Sequence, residues 1–410
     1  MLHSRKTPTR KHQQQKLQRN MAKQKIRRIQ TNGEKREEKP LILQKNKLLQ
    51  SMRQLHRKQK NKYNYNKTNK KTKRKTYNMK NKLNNILYKL KYSNLPREPV
   101  QIDIAITKEC CLKCQFCDCW KRKKEENEVT IDEWEKFLSE VKEWTKIKFL
   151  CIGGGEPFMK KGLTDLLRFC AEKDILTVVI TNGYLMNDKL IKEVIDSGLQ
   201  KINFSLDGTE KTHDKLRGKK GVFKKVNYVI DKFKELKPEM PIELSTMINN
   251  ANFKELPKFV EWIQKNKNID SVNFQAIQRV VRYDGPEWYK KEKLWPKDLK
   301  KINEIIDKLI YLKKKGYKIN NPTSQFKMFK KYFENPENTD NLYCKAGFSS
   351  IPVDCKGNVL LCQKQAPIGN ILEKNIRKMY YNRKSKNIRK KSKNCNEKCH
   401  FLINCYYDER

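Results

Sequence analysis

The sequence predicts an α/β fold: a partial (β/α)6 barrel with a small cysteine-rich C-terminal domain and a disordered basic N-terminal tail. Three observations predict it. From Val100 onward, six short apolar runs alternate with longer amphipathic stretches. Eleven of the thirteen cysteines gather in two sets, one at 110–119 and one at 344–405. The first 97 residues carry 31 Lys and Arg against three acids, Glu34, Glu37 and Glu38.

The tail spans 1–97. Its polar runs, such as KYNYNKTNKKTKRKTYN, have little apolar periodicity. Such a segment buries too little surface to offset its ordering entropy, so disorder is the expectation. Only its end, 79–92 (MKNKLNNILYKLKY), spaces Leu83, Ile86, Leu87 and Leu90 like one helical face, which predicts a short helix there. The positive charge suits nucleic acid or an anionic surface. It is equally the composition of a solvated Lys/Asn-rich tail with no partner. No apolar run is long enough to cross a membrane, and no signal-peptide core follows Met1. Clustered cysteines, odd in number, argue against a secreted disulfide framework and for metal binding in a reducing compartment. The cytoplasm is the expected location.

The core follows over 98–320. Strands are expected at 100–107, 148–153, 176–182, 201–207, 242–248 and 271–277, all rich in Ile, Val, Phe and Thr. Helices are expected near 130–146, 161–172, 187–197, 221–236 and 253–266. Thr130 and Glu133 have the spacing of a capping box for the first of these, and Asn187 is placed to cap the third. Alternation of this kind implies parallel strands joined by right-handed crossovers, with the chemistry at the C-terminal ends of the strands. KECCLKCQFC follows the first strand, GGGEP the second, TNG ends the third and SLDG ends the fourth. All four stretches fall on one rim. A further helix is expected from about 296 to 315. Asn321-Pro322 and Asn335-Pro336 then interrupt the pattern, so the last domain is placed at 321–410.

The stretch KECCLKCQFCDCW holds five cysteines within ten residues. Three thiolates on a four-iron cluster leave one iron without a protein ligand, whereas the ferredoxin pattern uses four cysteines and closes the cluster. Cys110, Cys114 and Cys117 make a compact three-ligand loop of this open kind. Zinc favours four closed ligands in paired knuckles, and Cys114 with Cys117 makes one such pair. Cys111 and Cys119 fall off the spacing and read as bystanders. Cys151 and Cys170 read as small core residues on a strand and a helix.

With Phe116 before its last cysteine, the loop Cys110-x3-Cys114-x2-Cys117 resembles the signature of the radical S-adenosylmethionine (SAM) superfamily. Gly154-Gly155-Glu156-Pro157 is similar to that family's GGEP element, in which the carboxylate contacts the amino group of SAM; the backbone at such glycines approaches a ligand closely. The segment SLDGTEKTHDKLRG resembles the fourth-strand region of the peptide-modifying branch. The resemblance implies that Ser205 and Arg217 bind the SAM carboxylate, a task that suits a guanidinium. It places Asn182 of the TNG turn toward the SAM ribose, while His213 reads as a packing or capping residue. The cofactors so implied are a [4Fe-4S] cluster with an open iron and SAM.

The second cysteine set, with Cys344, Gly357-x4-Cys362, Cys395-x3-Cys399 and Cys405, resembles the SPASM domain of many radical SAM enzymes that modify peptides and proteins. Ile368-Gly369-Asn370-Ile371 resembles its linking element. The full pattern has C-x2-C where this chain has Cys395-x3-Cys399, and a further cysteine where this chain has Glu409. The expectation is therefore one auxiliary iron–sulfur cluster, drawing four ligands from Cys344, Cys362, Cys395, Cys399 and Cys405, with Cys355 spare. Four thiolates also suit zinc, which is the alternative. An Asp serves as base after the G-x4-C cysteine in relatives that form formylglycine; Gln363 stands there, which argues against that oxidation.

The resemblance implies an enzyme that cleaves SAM reductively to a 5′-deoxyadenosyl radical and abstracts hydrogen from a peptide or protein side chain. It implies an electron donor such as a flavodoxin or ferredoxin. One alternative is modification of RNA, a nucleotide, a sugar or a lipid by the same chemistry. Another is a nucleic-acid-binding protein with structural metal sites. The residues assign no catalytic side chain.

Overall fold

The computed structural model describes residues 98–121, 127–278, 287–336, 347–348, 350–362, 365–373 and 375–393. The basic tail and its expected helix at 79–92 lie outside the described residues.

Every expected strand and helix of the core is present. The strands are β1 Gln101–Thr107, β2 Phe149–Gly154, β3 Leu176–Thr181, β4 Lys201–Ser205, β5 Ile242–Ile248 and β6 Ser271–Ala276. Each pairs in parallel with the next. The helices that follow are α1 Ile131–Trp144, α2 Leu163–Glu172, α3 Asp188–Asp196, α4 Glu210–Arg217, α5 Val222–Leu236 and α6 Leu256–Lys265. Past β6 come the single turn α7 Trp288–Lys291, then α8 Leu299–Lys314 and α9 Thr323–Glu334.

Local chemistry sets these boundaries. The Thr130 side chain accepts from the Glu133 N–H, and the Glu133 carboxylate accepts from the Thr130 N–H, so α1 starts with a complete capping box. Asn187 accepts from the Leu190 N–H and starts α3. Alternate strand residues, Ile102, Ile104 and Ile106 on β1 and Leu150 and Ile152 on β2, are buried in one core with Trp134, Phe137, Leu138 and Val141 of α1. The intervening residues, Asp103, Cys151, Val178, Ser205, Ser245 and Asn273, line the opposite face and are only half-buried. Cys151 therefore faces this open side of the sheet rather than the core, because β2 places it one residue out of phase with Leu150 and Ile152. Cys170 is buried in the core.

The sheet does not close. Its order is β6-β5-β4-β3-β2-β1-β7-β8-β9, where β7 is Ser350–Val353, β8 Asn358–Val359 and β9 Gly369–Asn370. Six βα units thus form the partial barrel, and the C-terminal part continues the same sheet. β7 adds to β1 in parallel, from Gln101↔Ser350 to Ile104↔Val353, and β8 and β9 follow antiparallel. Two further helices follow among the described residues, α10 Ile376–Tyr381 and α11 Arg383–Lys393. Trp144 of α1 packs its ring against Tyr380 and Tyr381, at centroid distances of 5.8 and 5.9 Å.

Candidate active site

The four rim stretches meet at the C-terminal ends of β1 to β4. The GGEP turn lies directly on the start of the cysteine loop. The Gly155 N–H donates to the Thr107 carbonyl at 2.8 Å and the Glu156 N–H to the Glu109 carbonyl at 2.7 Å. A Cβ on Gly155 would sit 2.0 Å from the Glu109 carbonyl oxygen, and one on Gly154, whose φ is +122°, would sit 2.5 Å from that of Thr107. Only glycine lets these two backbones approach so closely. The far side of the cysteine loop is fastened to α4: the Gln115 N–H donates to the Leu216 carbonyl at 2.9 Å, and the Gln115 side chain to the Lys215 carbonyl at 3.0 Å.

Glu156 is 1% exposed. Its carboxylate accepts from the Thr181 hydroxyl at 2.6 Å, the Asn182 N–H at 2.8 Å and the Phe158 N–H at 3.3 Å. No ion pair to it occurs among the described residues. Burial pushes its carboxyl above the ordinary range, against those hydrogen bonds and the more distant Arg217 charge. Asn182 turns its amide to the cysteine loop, 3.9 Å from Cys110 Sγ and 3.6 Å from Cys111 Sγ. Cys111 is thus packed within the site, although it falls off the ligand spacing.

Arg217 is buried at the end of α4. Its Nη2 lies 2.6 Å from Asp207 Oδ2, its Nη1 donates to Cys114 Sγ at 3.8 Å, and its guanidinium carbon lies 5.2 Å from the Phe116 ring centroid. Ser205 ends β4, half-buried beside Ser245 in register. His213 is fully buried and accepts the Asp207 N–H at its Nδ1, 3.1 Å away. Burial, and then the nearby Arg217 charge, hold its imidazole well below the usual range, so it is a neutral packing residue that shapes the SLDG turn.

The thiols differ in environment. Burial raises Cys110, and raises Cys114 to about 11 although Arg217 opposes it. Hydrogen bonding with Cys119 is the main cause that brings Cys117 down to about 6.

Two residues of this site escaped the sequence reading. Asp207 was visible only as the acid of SLDG, and its charge opposite to Arg217 ten residues on was the available signal. Thr181 sits at a strand end, where nothing in the pattern distinguished its hydroxyl.

At the second cysteine set, Gly357 and the IGNI element meet. The Ile371 N–H donates to the Gly357 carbonyl and the Asn370 amide to the Lys356 carbonyl, both at 2.8 Å. Cys355 is buried and Cys362 half-buried. Cys344, Cys395, Cys399 and Cys405 lie outside the described residues.

Residues 104–263 match the model of the radical SAM superfamily, and residues 344–406 match SPASM, an iron–sulfur cluster-binding domain. The chain is 30% identical over 163 residues to Fe-coproporphyrin III synthase of Methanosarcina barkeri, covering 40% of each protein. It is 27% identical over 189 residues to a PqqA peptide cyclase of Bradyrhizobium diazoefficiens, covering 46% of this chain and 48% of that one. It thus spans about half the length of these curated relatives. SuiB of Streptococcus suis, solved with SAM bound, shares the fold with a TM-score of 0.57 at 20% identity, over 74% of this chain and 70% of that one.

These domains imply a [4Fe-4S] cluster with SAM, and an auxiliary iron–sulfur cluster. The rim residues fit the first pair. Three cysteines lie on one loop, the donor set that leaves one iron of a four-iron cluster open. Glu156 is an anion without a cation, and Arg217 Nε is a buried donor without an acceptor, as the ammonium and carboxylate of an amino acid require.

Proposed function

With this chain belonging to the radical SAM superfamily and carrying a SPASM-type domain, we propose that it is an enzyme that modifies a peptide or protein side chain by hydrogen abstraction. The observation that carries this reading is the convergence of the three-cysteine loop, the GGEP turn and Arg217 on one rim of a parallel sheet, where the architecture collects catalytic groups.

Cys110, Cys114 and Cys117 would hold the cluster. Bound together, the cluster and SAM supply a 5′-deoxyadenosyl radical that abstracts a hydrogen atom from an unactivated carbon. Glu156 would orient the SAM amino group, its charge already desolvated and fixed by three hydrogen bonds. Arg217 and Ser205 would bind the SAM carboxylate, with Asn182 toward the ribose and Phe116 beside the last cysteine of the loop. The half-buried face of the sheet below the rim would take the substrate. Beside Cys151 and Val178, its Asp103, Ser205, Ser245 and Asn273 offer hydrogen-bonding groups to a peptide. The likeness to a PqqA peptide cyclase supports the peptide reading. The likeness to a coproporphyrin enzyme favours tetrapyrrole chemistry as the second reading. The SPASM-type domain would hold one auxiliary cluster through Cys362 and cysteines among Cys344, Cys395, Cys399 and Cys405. A flavodoxin or ferredoxin would supply the electron, and the basic tail would contact nucleic acid or an anionic surface.

The test is anoxic formation of 5′-deoxyadenosine by reconstituted protein given SAM and dithionite, beside the Cys110→Ala/Cys114→Ala/Cys117→Ala variant. Product from the wild type alone is the expected result. Wild-type protein that binds zinc tightly, assembles no cluster and forms no product would overturn the reading in favour of a binding protein.

A further inference from the structure

Arg217 is engaged in a way that holding a cosubstrate carboxylate does not explain. Its guanidinium points at the cysteine loop: Nη1 donates to Cys114 Sγ at 3.8 Å, and the plane approaches the Phe116 ring. Its other terminal nitrogen is taken by Asp207 at 2.6 Å. Asp207 in turn is fixed from three sides. Its Oδ1 accepts the Met247 N–H at 2.9 Å, its own N–H donates to His213, and its carbonyl accepts from the Asn252 amide at 2.8 Å. Backbone lacing between Gln115 and Leu216 ties α4 to the cysteine loop one residue before Arg217. The cation is therefore held in place before any ligand arrives, and its direction is toward one particular thiol.

A fixed cation and an N–H donor beside a cluster thiolate both favour the more negative, reduced state of the cluster. We propose that Arg217, aimed and locked by Asp207, sets the reduction potential of the cluster at the Cys110/Cys114/Cys117 loop through Cys114, without needing SAM to be bound. This rests on the reading of the loop as a cluster site. In the step concerned, one electron passes from an external low-potential reductant to the cluster, whose charge becomes one unit more negative; no bond forms or breaks. Asp207 acts as a positioning residue. Its carboxylate also offsets part of the cation's charge, so the two residues pull the potential in opposite directions.

The test is a potentiometric titration of the full-length reconstituted protein with dithionite, followed by electron paramagnetic resonance, with no SAM added. Arg217→Gln shifts the midpoint to more negative values. Arg217→Lys shifts it less in the same direction, because the charge stays while the fork that spans Asp207 and Cys114 is lost. A wild-type midpoint in Arg217→Gln with its cluster intact overturns the proposal. Should that variant fail to assemble, the wild type decides: protein grown with 15N-arginine must show a nitrogen hyperfine coupling on the reduced cluster, and none would overturn the proposal equally. Failure of the underlying reading looks different. It appears as wild-type protein without a four-iron cluster, or as an iron content and a paramagnetic spectrum that replacement of the three loop cysteines leaves unchanged.

Discussion

Glu156, just past the end of β2, and Glu243, on β5, are buried carboxylates, 1% and 6% exposed, and they are satisfied by opposite means. Glu243, on β5, has its own cation: Lys201 Nζ lies 2.8 Å away, and Ser271, Asn320 and Asn203 donate at 2.9, 2.7 and 3.3 Å. Its register neighbours, Asn203 on β4 and Ser271 on β6, come from the adjacent strands, so it closes a polar cluster across three of them. Glu156, at the rim, has three hydrogen-bond donors and no paired cation among the described residues. Burial disfavours a charge that is not neutralised nearby, so Glu156 retains an unmet demand for a cation whereas Glu243 does not. The difference teaches where to look for ligands on this sheet: self-satisfied polar clusters hold strands together, and an uncompensated charge marks the working rim.

The sharpest way to break the comparison is Glu156→Gln. If the carboxylate meets the SAM ammonium, removing its charge weakens SAM binding by about 2 kcal/mol, ~30-fold in Kd, the worth of a hydrogen bond to a charged group. Equilibrium dialysis of reconstituted protein with labelled SAM measures this. Unchanged SAM affinity with lowered stability would make Glu156 another structural acceptor, and the contrast would collapse. Lys201→Met is the converse experiment. It strips Glu243 of its cation and is expected to lower unfolding free energy by about 1.5 kcal/mol. That is modest for a buried carboxylate, because three donors remain and Lys201 itself is partly solvated. Urea unfolding measures it, and SAM affinity should not move. A loss of SAM binding in Lys201→Met would mean that the cluster on β4 and β5 supports the rim after all.

The same contrast explains what was legible in the sequence. The six βα units were legible because apolar periodicity records burial directly, and the capping signals at Thr130 and Asn187 are local. The rim was legible because four unusual stretches fell at successive strand ends. Glu156 was found through its neighbours Gly154 and Gly155, whose types are dictated by a close backbone approach, and Pro157, which opens the turn that follows. Asp207 and Thr181 were missed because their roles depend on partners from other elements, and neither spacing nor residue type records that. α4 was read only as a motif, since its eight residues EKTHDKLR are too polar and too few for a visible apolar stripe. The joining of β7 to β1 was missed for a similar reason: a four-residue strand carries no signal of which edge it extends. Cys151 was misread because one residue of phase decides which face of a strand a thiol occupies.

A third buried ionisable group shows the remaining way to meet burial, which is to give up the charge. His213 accepts the Asp207 N–H and stays neutral because burial and the Arg217 charge lower its pKa well below 6.5. The sign follows from proton counting. Between its depressed folded value and about 6.5 the unfolded chain binds the extra proton, so stability rises with pH and falls as the solution is acidified through that window. Relative to His213→Gln, which keeps an acceptor for the Asp207 N–H but does not titrate, the wild type should lose about 1 kcal/mol of unfolding free energy between pH 7 and about 5.5. Urea midpoints of both proteins across that range measure the difference. Parallel curves would mean that His213 takes up its proton in the folded state, with an anion drawn to it. The rim would then hold a switchable charge beside Arg217 in place of a neutral brace.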